Sequence, residues 1–517
     1  MEIKPFQQQI YPNLPSAASL VGYDGMSPGP TFIVPRGVET VVRFINNSSA
    51  PNSVHLHGSY SRAPFDGWAE DTTQPGQFKD YYYPNRQSGR MMWYHDHAVH
   101  STAENAYRGQ AGVYLVDDPV EDAAVNLPSG YAKFDIPLVL SAKQYQGDGS
   151  LFSTVGETIS LWGDVVHVNG QPWPFLAVQP RKYRFRFLNA AVSRTFSLYF
   201  VDVADVNYKL RFQVVGSDSG LLERPVWTSS MDISMAERYD VVFDFSPFAG
   251  RTIELRNFAK AGGAGVEDDY ENTDKVMRFV VSRFGTPDNS TVPSTLRKVP
   301  WPSSWNQTRP RTRPRIDHHF KFHRANGTWL INGVAFADAA NRVLARVPRG
   351  TVEIWELENT SDGWGHQIHV HLVDFRVLSR WHGTRAVAGY ERAGLKDVVW
   401  LGREEKVLVE AHYAPWDGVY MFHCHNLVHE DDDMMAAFNV TVLPHFGYEQ
   451  PEFLDPMDAR WRPRPFVESE YAGRTGVFSD FEIQQRILEM ASARPYQDVD
   501  EITSELHGYW TNRTVVG

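Results

Sequence analysis

Short runs rich in Val, Ile, Phe, Tyr and Thr recur along the chain between clusters of Gly, Pro, Asn and Asp. Examples are TVVRFINN, KYRFRFLNA, DVVFDF, RFVVSRF, TVEIWELENT and FNVTVL. β-Branched and aromatic residues suit a pleated surface and the breakers between them supply turns. The pattern therefore predicts an all-β chain of sandwiches or barrels, not alternating β and α units. The runs also repeat: VPRGVETVVRFIN ends at Asn46, QPRKYRFRFLN at Asn189 and VPRGTVEIWELEN at Asn359. The aligned prolines, Pro35, Pro180 and Pro348, lie much farther apart than any solenoid unit, so whole domains are duplicated. The expected division is 1–130, 131–290, a Pro/Arg-rich polar linker over 291–315, and 316–517. Near the end, SDFEIQQRILEMASARP offers Ser479 as an N-cap, Glu482 three residues on, and apolar Ile483, Ile487, Leu488 and Met490. This predicts a short amphipathic helix packed on the last domain.

Composition narrows the class. A formal charge of −12 and pI near 5.9 argue against nucleic-acid or anionic-membrane partners, which call for a basic face. No apolar run approaches the ~20 residues of a membrane span. The opening MEIKPFQQQIYPNLP is too polar for a signal peptide, so the protein is either intracellular or begins after a processed leader. N-x-S/T triplets start at Asn46, Asn47, Asn289, Asn306, Asn326, Asn359, Asn439 and Asn512, which favours a glycosylated, extracellular protein. Cys424 is the only cysteine, which excludes an internal disulfide.

That cysteine lies in MFHCHNLVHEDDDMM, and the histidines explain why. Ten of nineteen fall in four clusters: His55-Leu-His57, His95-Asp-His97, His366-x-x-His369-x-His371 and His423-Cys-His425-x-x-x-His429. Two clusters lie in the first repeat and two in the third. A lone H-x-H is ordinary strand polarity about half the time, but four together are not. Side chains at i and i+2 share a strand face and i+1 takes the other. If both third-repeat segments stay extended, His423 and His425 point one way and Cys424 the other. His369 and His371 share a face, from which His366 differs in parity. Two centres follow. One is a cluster of His55, His57, His95, His97, His369, His371, His423 and His425. The other joins Cys424, His366 and His429, with Met434 as a weak ligand, while Met435 is core.

Two imidazoles, a thiolate and a distant methionine form a blue-copper electron-transfer site. Zinc is the alternative for Cys424, His366 and His429, but it leaves unexplained a thiolate flanked by ligands of another cluster. Eight histidines suit three coppers, giving four one-electron metals in all. Four electrons are what reduction of dioxygen to water consumes. Cys424 then acts as a wire to His423 and His425.

The ordered motifs H-x-H, H-x-H, H-x-x-H-x-H and H-C-H-x-x-x-H-x-x-x-x-M resemble those of the three-domain multicopper oxidases, a family of laccases, ascorbate oxidases, spore-coat laccases and bilirubin oxidases. GYDGMSPGPTF, PNSVHLHGS, FDGWAEDT, YYYPNRQSGRMMWYHDHA, SLWGDVVHVNGQPWPF, GLKDVVW and VYMFHCHNLVHEDDDMMAAF are similar to the family's fungal bilirubin oxidases. The resemblance implies three cupredoxin-like Greek-key domains and four coppers: type 1 at His366, Cys424, His429 and Met434; type 2 at His55 and His369; type 3 at His57, His95 and His425 and at His97, His371 and His423. It implies a metal-free second domain, with SRTFSLYF in place of histidines, and Asp66 and Glu430 as proton donors. The implied reaction is one-electron oxidation of bilirubin, related tetrapyrroles or phenols, coupled to dioxygen reduction by a monomer.

For the donor, the expectation is docking near an exposed edge of His366, beside Trp364, with Lys321 and Arg324 as a basic rim. Asn426 is a candidate hydrogen-bond partner of the thiolate, and Asp431, Asp432 and Asp433 read as a solvated run. The resemblance would put a histidine at Asp432. A broad laccase or metal-ion oxidase is the rival within the family, although the twelve methionines form no rich run. A non-catalytic copper-binding protein or a copper nitrite reductase would leave most of the histidines unused.

Overall fold

A computed structural model describes residues 1–258, 271–297, 315–383, 385–441 and 453–492. Among them are six β-sheets, drawn two at a time from successive stretches of chain. The first pair uses strands between Glu2 and Asp117, the second strands between Asp135 and Val281, and the third strands between His318 and Thr441. One apolar core lies between the second pair of sheets, around Phe185, Phe200, Val241 and Phe279. Another runs continuously from the first pair into the third, through Phe44, Tyr94, Trp355 and Phe438.

The three sequence repeats occupy one topological position. They form the strands Thr40–Asn46, Lys182–Asn189 and Val352–Asn359. Each lies parallel to the opening strand of its pair (Glu2–Gln8, Asp135–Lys143, His318–Ala325). Each lies antiparallel to a later one (Gln77–Tyr83, Arg238–Asp244, Lys406–His412).

The asparagine closing each repeat does the same work three times. The Asn46 amide donates to Ala50 O and Thr73 O, that of Asn189 to Arg194 O and Ile233 O, and that of Asn359 to Trp364 O and Gly402 O. The side-chain oxygen of each accepts the backbone N–H two residues on, at Ser48, Ala191 and Ser361. This Asx turn ends the strand and pins the next loop to it. The same burial removes Asn46 and Asn359 as glycan acceptors, because a sugar needs a free amide. Asn47, Asn289 and Asn326 are exposed, Asn439 is half-buried, and Asn306 and Asn512 lie outside the described residues.

Two other expectations change. The helix forms over Asp480–Ser492 with Ser479 Oγ accepting the Glu482 N–H, but it packs on the first pair of sheets, not the last. Arg464–Pro465 adds a short strand to Gln77–Tyr83, Phe478 packs on Ile45 and Phe78, and Arg486 lies 3.6 Å from Asp80. The edge of the first sheet there offers the tail unpaired backbone partners. Met490 faces inward while Leu488 stays 57% exposed, so the buried stripe is narrower than the apolar pattern suggests. In the expected linker, Thr291 N–H donates to Asn126 O, Leu296 is buried and Arg297 pairs with Glu121, so residues 291–297 are held against the body of the protein. Residues 298–314 lie outside the described set.

Asn189→Ala should strand buried carbonyls and an amide, at ~1–3 kcal/mol for each unpaired group. The expected result is a metal-free protein destabilised by roughly 3 kcal/mol, read as a lower melting temperature. An unchanged melt would contradict this role.

Candidate metal centres

The strand Gly418–Cys424 lies inside a five-stranded sheet, between Met435–Thr441 and His366–Val370. Its register sets His423 opposite His369 and Cys424 opposite Ile368. Alternation along the strand sends the sulfur to one face and the neighbouring imidazoles to the other.

On the sulfur's face, Cys424 Sγ lies 3.4 Å from His366 Nδ1 and 3.7 Å from His429 Nδ1, and the two nitrogens are 3.2 Å apart. A point equidistant from the three lies about 2 Å from each, a metal–ligand bond length. His429 arrives from the short helix Leu427–Asp431, capped by Asn426. Met434 is fully buried in the same core cluster as Cys424, and its carbonyl accepts the Cys424 N–H at 3.1 Å. Hydrogen bonds orient both rings. His366 Nε2 is 2.6 Å from Ser361 Oγ, itself held by Asn359, and the Asn426 side-chain nitrogen lies 3.2 Å from His429 Nε2. Asn426 N–H also reaches the sulfur at 3.4 Å. Trp329, fully buried, stacks on His429 with centroids 3.8 Å apart.

On the opposite face the eight histidines converge from four segments. The strands Val54–His57 and Arg90–Asp96 set His55 opposite His95, and His97 follows directly. His369 Nε2 and His55 Nε2 are 3.4 Å apart, and His423 Nε2 lies 3.1 Å from His97 Nε2 and 3.2 Å from His371 Nε2. Ring centroids of His57, His95 and His425 are 5.2 to 5.7 Å apart. The outer nitrogens are tied down. Nδ1 of His55 donates to Asp66 O (2.5 Å), that of His95 to Asp96 O (2.7 Å), that of His369 to Asp397 O (2.8 Å) and that of His371 to Asp66 Oδ2 (2.8 Å). His57 is reversed: its Nε2 donates to Asp397 Oδ1 at 3.0 Å, leaving Nδ1 facing inward.

These donors fit metal ions. His57 Nδ1, His95 Nε2 and both ring nitrogens of His425 are buried without a hydrogen-bond partner, and a metal would take one nitrogen of each ring. Burial holds all ten rings below the usual imidazole range (His366 near 3, His97 and His423 near 4), so their lone pairs are free. Burial pushes the Cys424 thiol up to about 12, and a bound cation reverses that preference by binding the thiolate. Groups able to share one ion include His366, Cys424 and His429, and also His97, His371 and His423.

Asp66 and Glu430 both touch the histidine cluster. Burial raises Asp66 well above the carboxylate range. Glu430 lies 2.9 Å from His423 Nδ1 and 3.6 Å from His97 Nδ1; burial lifts it to about 7, with His97 pulling it down.

Several expected positions need correction. His366 has no exposed edge, because Trp329 and Trp364 pack over the centre. Trp364 is half-buried and lies parallel to Trp162 of the second pair, with centroids 6.2 Å apart. Arg324 lies 5.1 Å above Trp329. Lys321, three residues earlier on the same strand, has the opposite parity and faces away, toward Glu358. Nor is Asp431–Asp433 a solvated run. Asp431 accepts the N–H groups of Thr102 and Ala103, Asp432 O accepts from Trp329 N–H, and Asp433 accepts from Ala337 N–H.

Sequence reasoning missed Ser361, Trp329 and Asp397. The first two lie in ordinary turn and hairpin contexts that carry no signal. Asp397, within GLKDVVW, is a buried acid whose partner Arg238 lies far away in sequence.

Comparison with known proteins gives a consistent picture. Family profiles described as multicopper oxidase match residues 6–121 and 308–443. A bilirubin oxidase of Albifimbria verrucaria is 64% identical over 97% of this chain and 86% of its own length. A laccase of Bacillus subtilis is 33% identical, covering 84% of this chain and 93% of its own. The crystal structure of the McoA multicopper oxidase from Aquifex aeolicus superimposes with a TM-score of 0.75 at 25% identity, covering 85% of this chain and 96% of that one.

Ser361→Ala frees His366 Nε2, and loss of such an outer hydrogen bond weakens metal binding by about 10–100-fold. The variant should lose its sulfur-side metal to a chelator earlier than the parent protein does, while the histidine cluster keeps its own. Equal retention at the sulfur centre would show that Ser361 does not orient the ring.

Proposed function

The chain belongs to the multicopper oxidase family, a class of copper oxidoreductases that use oxygen, and on that premise we propose that it oxidises bilirubin and related tetrapyrroles or phenols one electron at a time and reduces dioxygen to water. The observation that carries this is the placement of the Cys424 triangle and the His423 and His425 rings on opposite faces of one strand.

In this reading His366, Cys424 and His429, with Met434 beside them, would hold the type 1 copper. His55 and His369 would hold the type 2 ion, His57, His95 and His425 one type 3 ion, and His97, His371 and His423 the other. Copper there supplies one-electron storage, and four ions match the four electrons that turn one dioxygen into two waters. The chain supplies the rest. From the sulfur, covalent bonds run through the Cys424 backbone to His425 in one direction and His423 in the other. His423 Nδ1 also lies 3.2 Å from Cys424 O, a shorter route to the same ring. Asp66 and Glu430, buried against His371 and His423, keep protons beside the cluster. A flat donor would lie against Trp364 and Trp162, and Trp364 itself packs edge-on to His429 with centroids 6.1 Å apart. Arg324 would face the donor's carboxylates with its forked guanidinium.

The protein is proposed to be a secreted monomer, with Asn47, Asn289 and Asn326 as its accessible glycan acceptors. Among the described residues no helix is long and apolar enough to cross a membrane.

The direct test is an absorption spectrum with metal analysis. It should show an intense thiolate-to-copper band toward the red end of the visible and about four coppers per chain. Cys424→Ser should abolish the band and turnover while leaving the histidine cluster largely metallated; full activity in that variant would defeat the wiring. Steady-state rates with bilirubin, a simple phenol, Cu(I) and Fe(II) decide the donor, and turnover of the metal ions equal to or better than that of bilirubin favours a metal-ion oxidase.

Glu430 carries its proton below about pH 7 and loses it above. The oxygen-limited rate should therefore fall as pH rises through 7. Glu430→Gln should remove that limb and slow oxygen uptake by about 100-fold, a typical acid–base contribution, with reduction of the blue centre by donor unchanged. An unaltered pH profile would exclude Glu430 as a donor.

A further inference from the structure

The pair of sheets without histidine clusters reaches the oxygen site through one buried arginine. Arg238 opens the strand Arg238–Asp244 of the second pair, yet its guanidinium ends between the other two pairs. Nη1 and Nη2 grip the two carboxylate oxygens of Asp397 at 2.6 and 2.5 Å. Nε donates to Met91 O at 3.2 Å, on the strand that carries His95. Asp397 in turn takes the His57 Nε2 hydrogen on Oδ1 and the His369 Nδ1 hydrogen on its backbone carbonyl. Behind them Asp218, also from the second pair, accepts the Arg238, Asp397 and Val398 N–H groups and the Lys396 ammonium. All of these charges are buried. The space is full as well: a Cβ on Gly58, next to His57 and at φ +90°, would come within 2.8 Å of Arg238 Nη2 and 2.9 Å of Asp397 Oδ2.

A buried network of four charges, Arg238, Asp397, Asp218 and Lys396, is costly unless every member is paired. Although Arg238 also donates to Ala236 O and Asp218 O within the second pair, its two carboxylate bonds lead out of that pair. What the network fixes is a carboxylate in one orientation, and that orientation decides which nitrogen His57 turns inward. We propose that Arg238 is a positioning residue for the oxygen-reducing cluster. By clamping Asp397 across the boundary between sheet pairs, it holds His57 with Nδ1 and His369 with Nε2 toward the metals. The second pair of sheets is then a brace for a site to which it gives no ligand.

The proposal rests on the copper reading above, and its test keeps the two apart. Copper-loaded parent, Arg238→Met and Arg238→Lys proteins are titrated with a copper chelator, with total copper and the thiolate band followed together. Lysine keeps the buried charge but cannot fork across both oxygens, so it carries the test if the methionine variant does not fold. Arg184→Lys, in the ion pair with Asp240 inside the second pair of sheets, serves as control. The expected result is cluster copper released at about 10–100-fold lower chelator concentration in the Arg238 variants, the cost usual for an outer partner of a ligand. The blue band per chain should be unchanged in them, and Arg184→Lys should behave as the parent. The proposal is overturned if Arg238→Lys holds its cluster copper like the parent, if band and cluster copper are lost together, or if Arg184→Lys loses copper equally. A parent protein with no blue band and no bound copper would instead sink the copper reading itself.

Discussion

One geometric constraint governs this molecule: successive side chains of an extended strand leave on opposite faces. At the end of Gly418–Cys424 that alternation separates a sulfur from two imidazoles by a single peptide unit on either side. Neither centre can move without the other, because the two share a backbone. A sheet interior is the right place for such a link, since the ladder to His366–Val370 and Met435–Thr441 fixes the register from both sides. A one-residue slip would put the sulfur among the imidazoles and send His423 and His425 to the sulfur's face.

The second constraint is burial. Ten imidazoles and a thiol lie in the interior at 0–1% exposure, where each charged form is strongly disfavoured. That keeps the histidines neutral and ready to ligate. It also calls for partners on the outer nitrogens, and for His55, His57, His95, His369 and His371 the fold supplies backbone carbonyls and carboxylates. Asp66 supplies both kinds, through its carbonyl to His55 and its carboxylate to His371. Asp397 does the same for His369 and His57. Two acids thus orient four rings, one from the first pair of sheets and one from the third, across the boundary where the cluster forms.

Much of this was legible in the sequence because it follows from local periods. The all-β class came from breaker-bounded apolar runs, the triplication from three Asn-terminated repeats, and the split of ligands between two faces from counting parity. The same counting, carried further along His318–Ala325, would have separated Arg324 from Lys321, which face opposite ways. What stayed hidden depends on chain segments remote in sequence meeting in space. Nothing near Arg238 says that it will reach Asp397, and nothing in NGTWLING says that Trp329 will stack on His429. The acidic run after His429 misled because composition reports charge and not partners. A helix N-terminus claims the Asp431 carboxylate and a loop amide that of Asp433, while a tryptophan amide takes the backbone carbonyl of Asp432. The tail misled for a related reason, since an amphipathic helix declares that it will pack without declaring on what.

The central claim is that electrons leave the sulfur centre through the strand to the histidine cluster, and that dioxygen takes them only there. The most direct measurement mixes dioxygen rapidly with anaerobically reduced protein and follows the return of the blue band, in fully loaded protein and in protein whose cluster copper has been stripped. The account predicts fast return in the loaded protein and almost none in the stripped one. Equal rates of return in both would mean that the sulfur centre reacts with oxygen by itself, and the strand would not be a conductor.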